Sequence, residues 1–263
     1  MTESKIAKEL RLLKKSAKVL TLSLSNKVCF YIKEMGAKSS SQYLYQPIFK
    51  YKDAKRRQLS TFQRWEAIES AIQNISKSNE KMAALDIGCN MGFFTFNLAQ
   101  KGFFCLGVDG ESELCQFNNE VELLNKGKQA SGDGVAVFTQ FILDKTSIDS
   151  LPSFDVILFL GVWHHITKTH TLVESQEILS KLYNKCNKIM IFESGYGPIE
   201  RYQVEAKSKM EKDEWMYQCL KECCPGSEIN ILGEFESRDA GAGKPDGDTR
   251  PMYSVKKQMA DHK

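Results

Sequence analysis

The sequence predicts an α/β fold: a doubly wound, mainly parallel seven-stranded sheet preceded by a helical N-terminal extension. Three observations predict it. From residue 82 onward, short apolar runs alternate with segments of helical periodicity. The run at 154–162 is almost wholly apolar, as befits a strand covered on both faces. The first run ends in an acid and a glycine-spaced turn, Asp86-Ile87-Gly88-Cys89-Asn90-Met91-Gly92, with helical spacing directly behind it.

The elements follow in order. Ile6, Leu10, Leu13, Ala17, Leu20 and Leu24 recur at alternating steps of four and three, one apolar stripe on a helix, with Lys8, Arg11, Lys15 and Lys18 off it. The pattern fades at Ser25-Asn26 and resumes through Val28, Tyr31 and Ile32 to Gly36. Residues 36–60 are polar, aromatic and basic and read as a connector. From Ser60 a helix is spaced by Phe62, Trp65, Ile68, Ile72 and Ile75. Strands then fall at 82–87, 103–108, 135–143, 154–162, 188–193, 229–235 and 252–256, and helices at 93–100, 111–125, 171–183 and 199–223. The Gly-, Asp- and Pro-rich stretch 238–250 reads as a hairpin loop. The expected division is a basic helical extension, 1–59, and one α/β domain, 60–263.

Charge is unevenly spread. Residues 1–57 carry 14 Lys and Arg against 4 Asp and Glu, and the remainder 22 against 29. A basic arm on an acidic body fits an anionic partner (RNA, a phospholipid surface or an anionic saccharide) or a helix docked on its own body. No stretch approaches the roughly 18 apolar residues of a membrane span. Lys14, Lys15 and Lys18 break any signal-peptide core, so a cytoplasmic location is expected. The eight cysteines lack regular spacing and read as reduced thiols. Cys219, Cys223 and Cys224 lack a spaced fourth ligand, so no metal is expected.

Chemistry concentrates at 86–92. Glycines let the backbone turn tightly and approach a ligand, and the following helix presents free N–H groups. The spacing departs from the dinucleotide fingerprint Gly-x-Gly-x-x-Gly, because Asn90 and Phe93 stand where its second and third glycines would fall. The segment resembles motif I of the class I S-adenosylmethionine methyltransferases, with Asn90 in place of the middle glycine. Asn tolerates the left-handed region better than other side-chain-bearing residues.

The resemblance implies a Rossmann-like sheet and S-adenosylmethionine held by Asp86, Gly88, Cys89, Asn90 and Gly92. Asp109 and Gly110, at the end of the second strand, would meet the ribose, and Asp144 the adenine. The segment 154–166 resembles motif IV, whose end would bring Leu160 and Gly161 to the cofactor and Trp163, His164 and His165 to the substrate side. A histidine there serves as general base or orders its loop; His165 is the first catalytic candidate and His164 the second. Arg64 either reaches the donor's carboxylate or lies on a helix surface.

A finer resemblance, in Leu114-Cys115-Gln116-Phe117, Gly161-Val162 and His165, is to the tRNA wobble-uridine carboxymethyltransferases, which use a carboxylated S-adenosylmethionine. The expected function is methyl transfer to a hydroxyl or amine of a small-molecule or saccharide acceptor. The alternatives are an RNA-modifying methyl- or carboxymethyltransferase, with RNA bound through basic residues 5–57, and a catalytically silent cofactor-binding scaffold. Peripheral membrane contact through the same arm stays open.

Overall fold

The computed structural model describes residues 59–73, 75, 80–126, 134–236 and 249–258. The basic arm, most of the expected hairpin loop and Cys29 lie outside the described residues. The elements run α1 (Leu59–Gln73), β1 (Ala83–Ile87), α2 (Phe93–Gln100), β2 (Phe104–Asp109), α3 (Ser112–Lys126), β3 (Val135–Gln140), β4 (Phe154–Leu160), α4 (Trp163–Ile166), α5 (Leu172–Lys185), β5 (Cys186–Glu193), α6 (Gly197–Arg201), α7 (Lys209–Cys223), β6 (Ser227–Glu236) and β7 (Thr249–Lys257).

The strands form one seven-stranded sheet in the order β3-β2-β1-β4-β5-β7-β6. β1 to β5 pair in parallel, whereas β7 pairs antiparallel with both β5 and β6. The sheet is therefore mixed, where the strand–helix alternation anticipates a mainly parallel one. The reason is the connection. β6 ends at Glu236 and β7 starts at Thr249, so only the residues 237–248 join these two neighbouring strands, at the short limit for a parallel crossover, and neighbours so joined pair antiparallel.

Two apolar clusters cover the sheet. Ala84, Val156 and Leu158 belong to one, and Leu85, Ile157 and Phe159 to the other. Alternate residues of a strand point to opposite faces, so the clusters lie on the two sides. Trp65 of α1, Phe96 of α2 and Leu114 of α3 pack on the first, and Ile178 of α5 and Leu220 of α7 on the second. Cys219, Cys223 and Cys224 are buried core residues there. Among the described residues no helix is long and apolar enough to cross a membrane.

Two boundaries differ from expectation for identifiable reasons. The third strand stops at Gln140, where its partner β2 ends at Asp109. The helix expected over 199–223 is two helices. Gln203 takes a positive φ of 52°, and Ser208 starts α7 afresh. The Ser208 hydroxyl accepts from Glu211 N–H while the Glu211 carboxylate accepts from Ser208 N–H. Thr171 and Glu174 build the same reciprocal cap on α5. Each satisfies helix-end donors that have no intrahelical acceptor. Thr171→Ala and Ser208→Ala should each lower stability by about 1 kcal/mol, read as a lower denaturant midpoint with an unchanged slope.

Candidate functional site

β1 lies between β2 and β4, so the chain travels outward to β3 and returns on the other side of β1. A crevice opens beyond the carboxyl ends of strands at such a reversal. The loop from β1 to α2 sits there. Gly88, Asn90 and Gly92 hold φ of 70°, 49° and 70°. Gly88 and Cys89 N–H both donate to Val108 C=O, at 2.8 and 3.0 Å, which anchors the loop to β2. A Cβ on Gly88 would stand 2.4 Å from Val162 Cγ2, so the position needs glycine for space as well as for conformation. Gly92 is the N-cap of α2.

The predicted acids part company. Asp109 spans the crevice edge: Oδ2 accepts from Asn90 N–H at 2.9 Å and Oδ1 from Glu111 N–H at 3.1 Å. A carboxylate offers about four lone-pair sites, so each oxygen keeps capacity for another donor. Asp86 instead turns beneath the loop, 3% exposed, and accepts from the Thr95 hydroxyl of α2 at 2.6 Å. Burial pushes its carboxyl up to about 6, against the hydrogen bonds from Thr95. Asp144 caps its own turn. Its Oδ1 accepts from Thr146 N–H, the Thr146 hydroxyl and Ser147 N–H, which hold its pKa at about 2.

The mouth is formed by the loops after β4 and β5. Gly161, at φ 67°, donates its N–H to Glu193 C=O at 2.8 Å. His164 is half-buried, and its Nδ1 accepts from Gly195 N–H at 3.2 Å. A ring nitrogen that accepts does not carry the proton, so the neutral His164 ring bears it on Nε2. His165 is exposed, with Nδ1 3.3 Å from Lys168 Nζ. Trp163 does not face the mouth as expected. It is fully buried, donates Nε1–H to Ser175 C=O at 3.0 Å, and packs against Phe192 and Trp215, because its ring offers more apolar surface than α4 leaves in water.

Three features of the site escaped sequence reasoning. Arg64 is not a solvated residue on a helix surface. Its guanidinium holds Glu193 in a fork, at 2.6 and 2.9 Å, reaches Glu236 C=O at 3.1 Å and lies over the Phe235 ring. This pins α1 to the ends of β5 and β6. Arg250 of β7 borders Gly195, where an added Cβ would lie 3.0 Å from Arg250 Nη1 and 3.3 Å from His164 Cγ. Asn118 of α3 is fully buried and donates Nδ2–H to Asn90 C=O at 2.7 Å. Only the last had a visible signal, a polar residue at core spacing between Leu114 and Val121.

No protein-family model matches the chain. The O-antigen chain terminator bifunctional methyltransferase/kinase WbdD of Escherichia coli is 28% identical over 132 residues, which make up 49% of this chain and 18% of that protein. A solved structure of WbdD superposes with a TM-score of 0.62 at 24% identity, over 85% of this chain and 47% of that one. Magnesium protoporphyrin IX methyltransferase (ChlM) of Synechocystis PCC 6803, solved with S-adenosylmethionine bound, superposes with a TM-score of 0.53 at 13% identity, over 76% and 81% of the two chains. The chain has the fold of S-adenosylmethionine-dependent methyltransferases. It spans less than a fifth of the length of the curated relative it matches.

The Asp86 environment makes stability depend on pH. The folded pKa, about 6, lies above the ordinary 3.8. The native protein thus binds this proton more tightly than the unfolded chain does. The contribution is fully present below about pH 4 and is lost as pH rises through about 6, by roughly 3 kcal/mol in all. Denaturant unfolding of Asp86→Asn beside the parent protein should show the parent losing stability relative to the variant across that window. A difference independent of pH would contradict the assignment.

Proposed function

We propose that the chain is an S-adenosylmethionine-dependent methyltransferase acting on a saccharide or other small-molecule acceptor. In this reading residues 60–263 form the catalytic domain and 1–59 a basic extension. One observation carries it: Asp109 and the left-handed loop 88–92 meet at the carboxyl ends of β1 and β2, beside the β1–β4 boundary where the strand order reverses. The likeness to WbdD and ChlM supports the cofactor class, and WbdD, named as an O-antigen chain terminator, supports a saccharide acceptor.

The residues present fit the cofactor. Gly88 lets Val162 close against the loop backbone, and its φ admits no ordinary side chain. Asp109 keeps accepting capacity for two ribose hydroxyls, and Gly110 beside it has open space where a Cβ would be. Leu160 and Gly161 border the crevice from β4. Bound there, S-adenosylmethionine would supply a methyl group on a sulfonium to the acceptor's oxygen or nitrogen, leaving S-adenosylhomocysteine and a released proton. This chain's part is to align donor and acceptor and exclude water. Asp144 stays the candidate for the adenine: its Oδ1 is spent on its own turn, and its Oδ2 keeps accepting capacity.

Of the two mouth histidines, His164 is the better placed. It is held by Gly195, faces the loop that borders Arg250, and presents Nε2–H to orient an acceptor oxygen. The RNA-modifying and carboxymethyl alternatives rest on the basic arm and on Gly161-Val162, His165 and the string Leu114-Cys115-Gln116-Phe117. In that string Leu114, Cys115 and Phe117 are core residues, whose identity follows from packing.

Two outcomes are expected. Calorimetry should show S-adenosylhomocysteine binding without appreciable NAD binding, and Asp109→Ala should weaken the former by ~1–3 kcal/mol. Tight NAD binding, or unchanged affinity in Asp109→Ala, would overturn the cofactor reading. With S-adenosylmethionine and a panel of saccharide acceptors, His164→Ala should cut turnover by roughly 10²-fold at unchanged S-adenosylhomocysteine affinity, and His165→Ala by less. Equal turnover in His164→Ala and the parent would remove His164 from the reaction.

A further inference from the structure

Asn118 is out of place by the rules that govern the rest of α3. It lies at core spacing between Leu114 and Val121, both buried, and is itself 0% exposed. A buried amide costs free energy unless every polar atom is satisfied. Here it is only half satisfied: Nδ2 donates to Asn90 C=O at 2.7 Å, and Oδ1 has no partner among the described residues. The Asn90 Oδ1 is likewise buried and without one. An apolar residue at 118 would serve the core better, so stability does not account for this side chain.

What Asn118 does touch is the crest of the crevice loop. Asn90 holds φ 49°, a strained angle for a residue with a side chain. Its peptide groups are gripped from two sides, the N–H by Asp109 Oδ2 at 2.9 Å and the C=O by Asn118. A peptide unit is planar and trans, so its C=O and N–H point in opposite directions. Turning the Asn90 carbonyl toward α3 therefore turns the Met91 N–H away from it, and that N–H has no acceptor among the described residues. Without Asn118 the crest peptide would lose its hold and could turn about its flanking bonds, moving this donor out of that orientation.

We infer that Asn118 is a positioning residue for cofactor binding, which holds the Asn90–Met91 peptide in the orientation the ligand meets. The inference rests on the cofactor reading above. Asp109 then has two duties, one toward the ligand and one toward the loop, and Asn118 takes the share of the second that Asp109 cannot reach. Glycine at the crest, which adopts positive φ without strain, would lessen the need for that hold.

The test is calorimetric titration of the full chain with S-adenosylhomocysteine, with the melting temperature of each ligand-free protein alongside. Asn118→Ala and Asn118→Leu should each weaken binding by roughly tenfold or more, about the loss of one well-placed hydrogen bond. Their ligand-free melting temperatures should stay level or rise. Adding Asn90→Gly to Asn118→Ala should restore much of the lost affinity, a non-additivity that a packing defect would not produce. Wild-type binding with unchanged affinity in both variants overturns this inference alone. So does a loss of affinity that tracks a fall in melting temperature and is not restored by Asn90→Gly. A wild-type protein that does not bind S-adenosylhomocysteine overturns the cofactor reading, and this inference with it.

Discussion

The site depends on one constraint: the chain must leave β1 and enter α2 through three left-handed residues within five positions, at the point where the strand order reverses. Such a loop is costly for any residue but glycine. It persists because its surroundings over-determine it. Val108 C=O takes two of its N–H groups, Asp109 a third, Asn118 its crest carbonyl, and Thr95 ties the helix behind it to Asp86. Three buried polar side chains, Asp86, Thr95 and Asn118, are tied to that loop or to the helix behind it. Stability lost to buried acids and half-satisfied amides is recovered by the two apolar clusters on the sheet faces.

The mouth is built on a second set of ties. Gly161 hangs on Glu193, Glu193 is clamped by Arg64 of α1, and Gly195 fixes the ring of His164. The loops after β4 and β5 are therefore held relative to each other and to α1. Tyr196, next in the chain, donates to Asp213 of α7, which also pairs with Lys209; Lys209 reaches Glu234 of β6, and Glu234 accepts from Thr249 of β7. Helix α7 and the β6–β7 pair thereby brace the same edge. This is the physical use of the strands that make the sheet mixed.

The parallel half of the fold was legible because local signals and tertiary demands agreed. The apolar run of β4, the loop at Gly88–Gly92 and the Thr171 cap each have a pattern that points one way. The antiparallel pair was legible as strands but not as an arrangement, since pairing is set by a connection and not by composition. The break before α7 had a signal, Ser208 and Glu211 at capping spacing, which a helical periodicity running across it concealed. In the site, backbone-shaping positions were readable from glycine spacing. Side-chain directions were not: Trp163 turns into the core, Asp86 beneath the loop and Arg64 toward Glu193. Those outcomes depend on partners over a hundred residues away in the case of Arg64, beyond any local pattern.

The central claim, that the crevice between β1 and β4 receives the cofactor with its ribose on Asp109, is tested most directly by a crystal structure with S-adenosylhomocysteine. The account predicts the ligand beyond the carboxyl ends of those strands, with both ribose hydroxyls within about 3 Å of the Asp109 carboxylate. Ligand bound elsewhere on the chain, or a crevice left empty at saturating concentration, would contradict it.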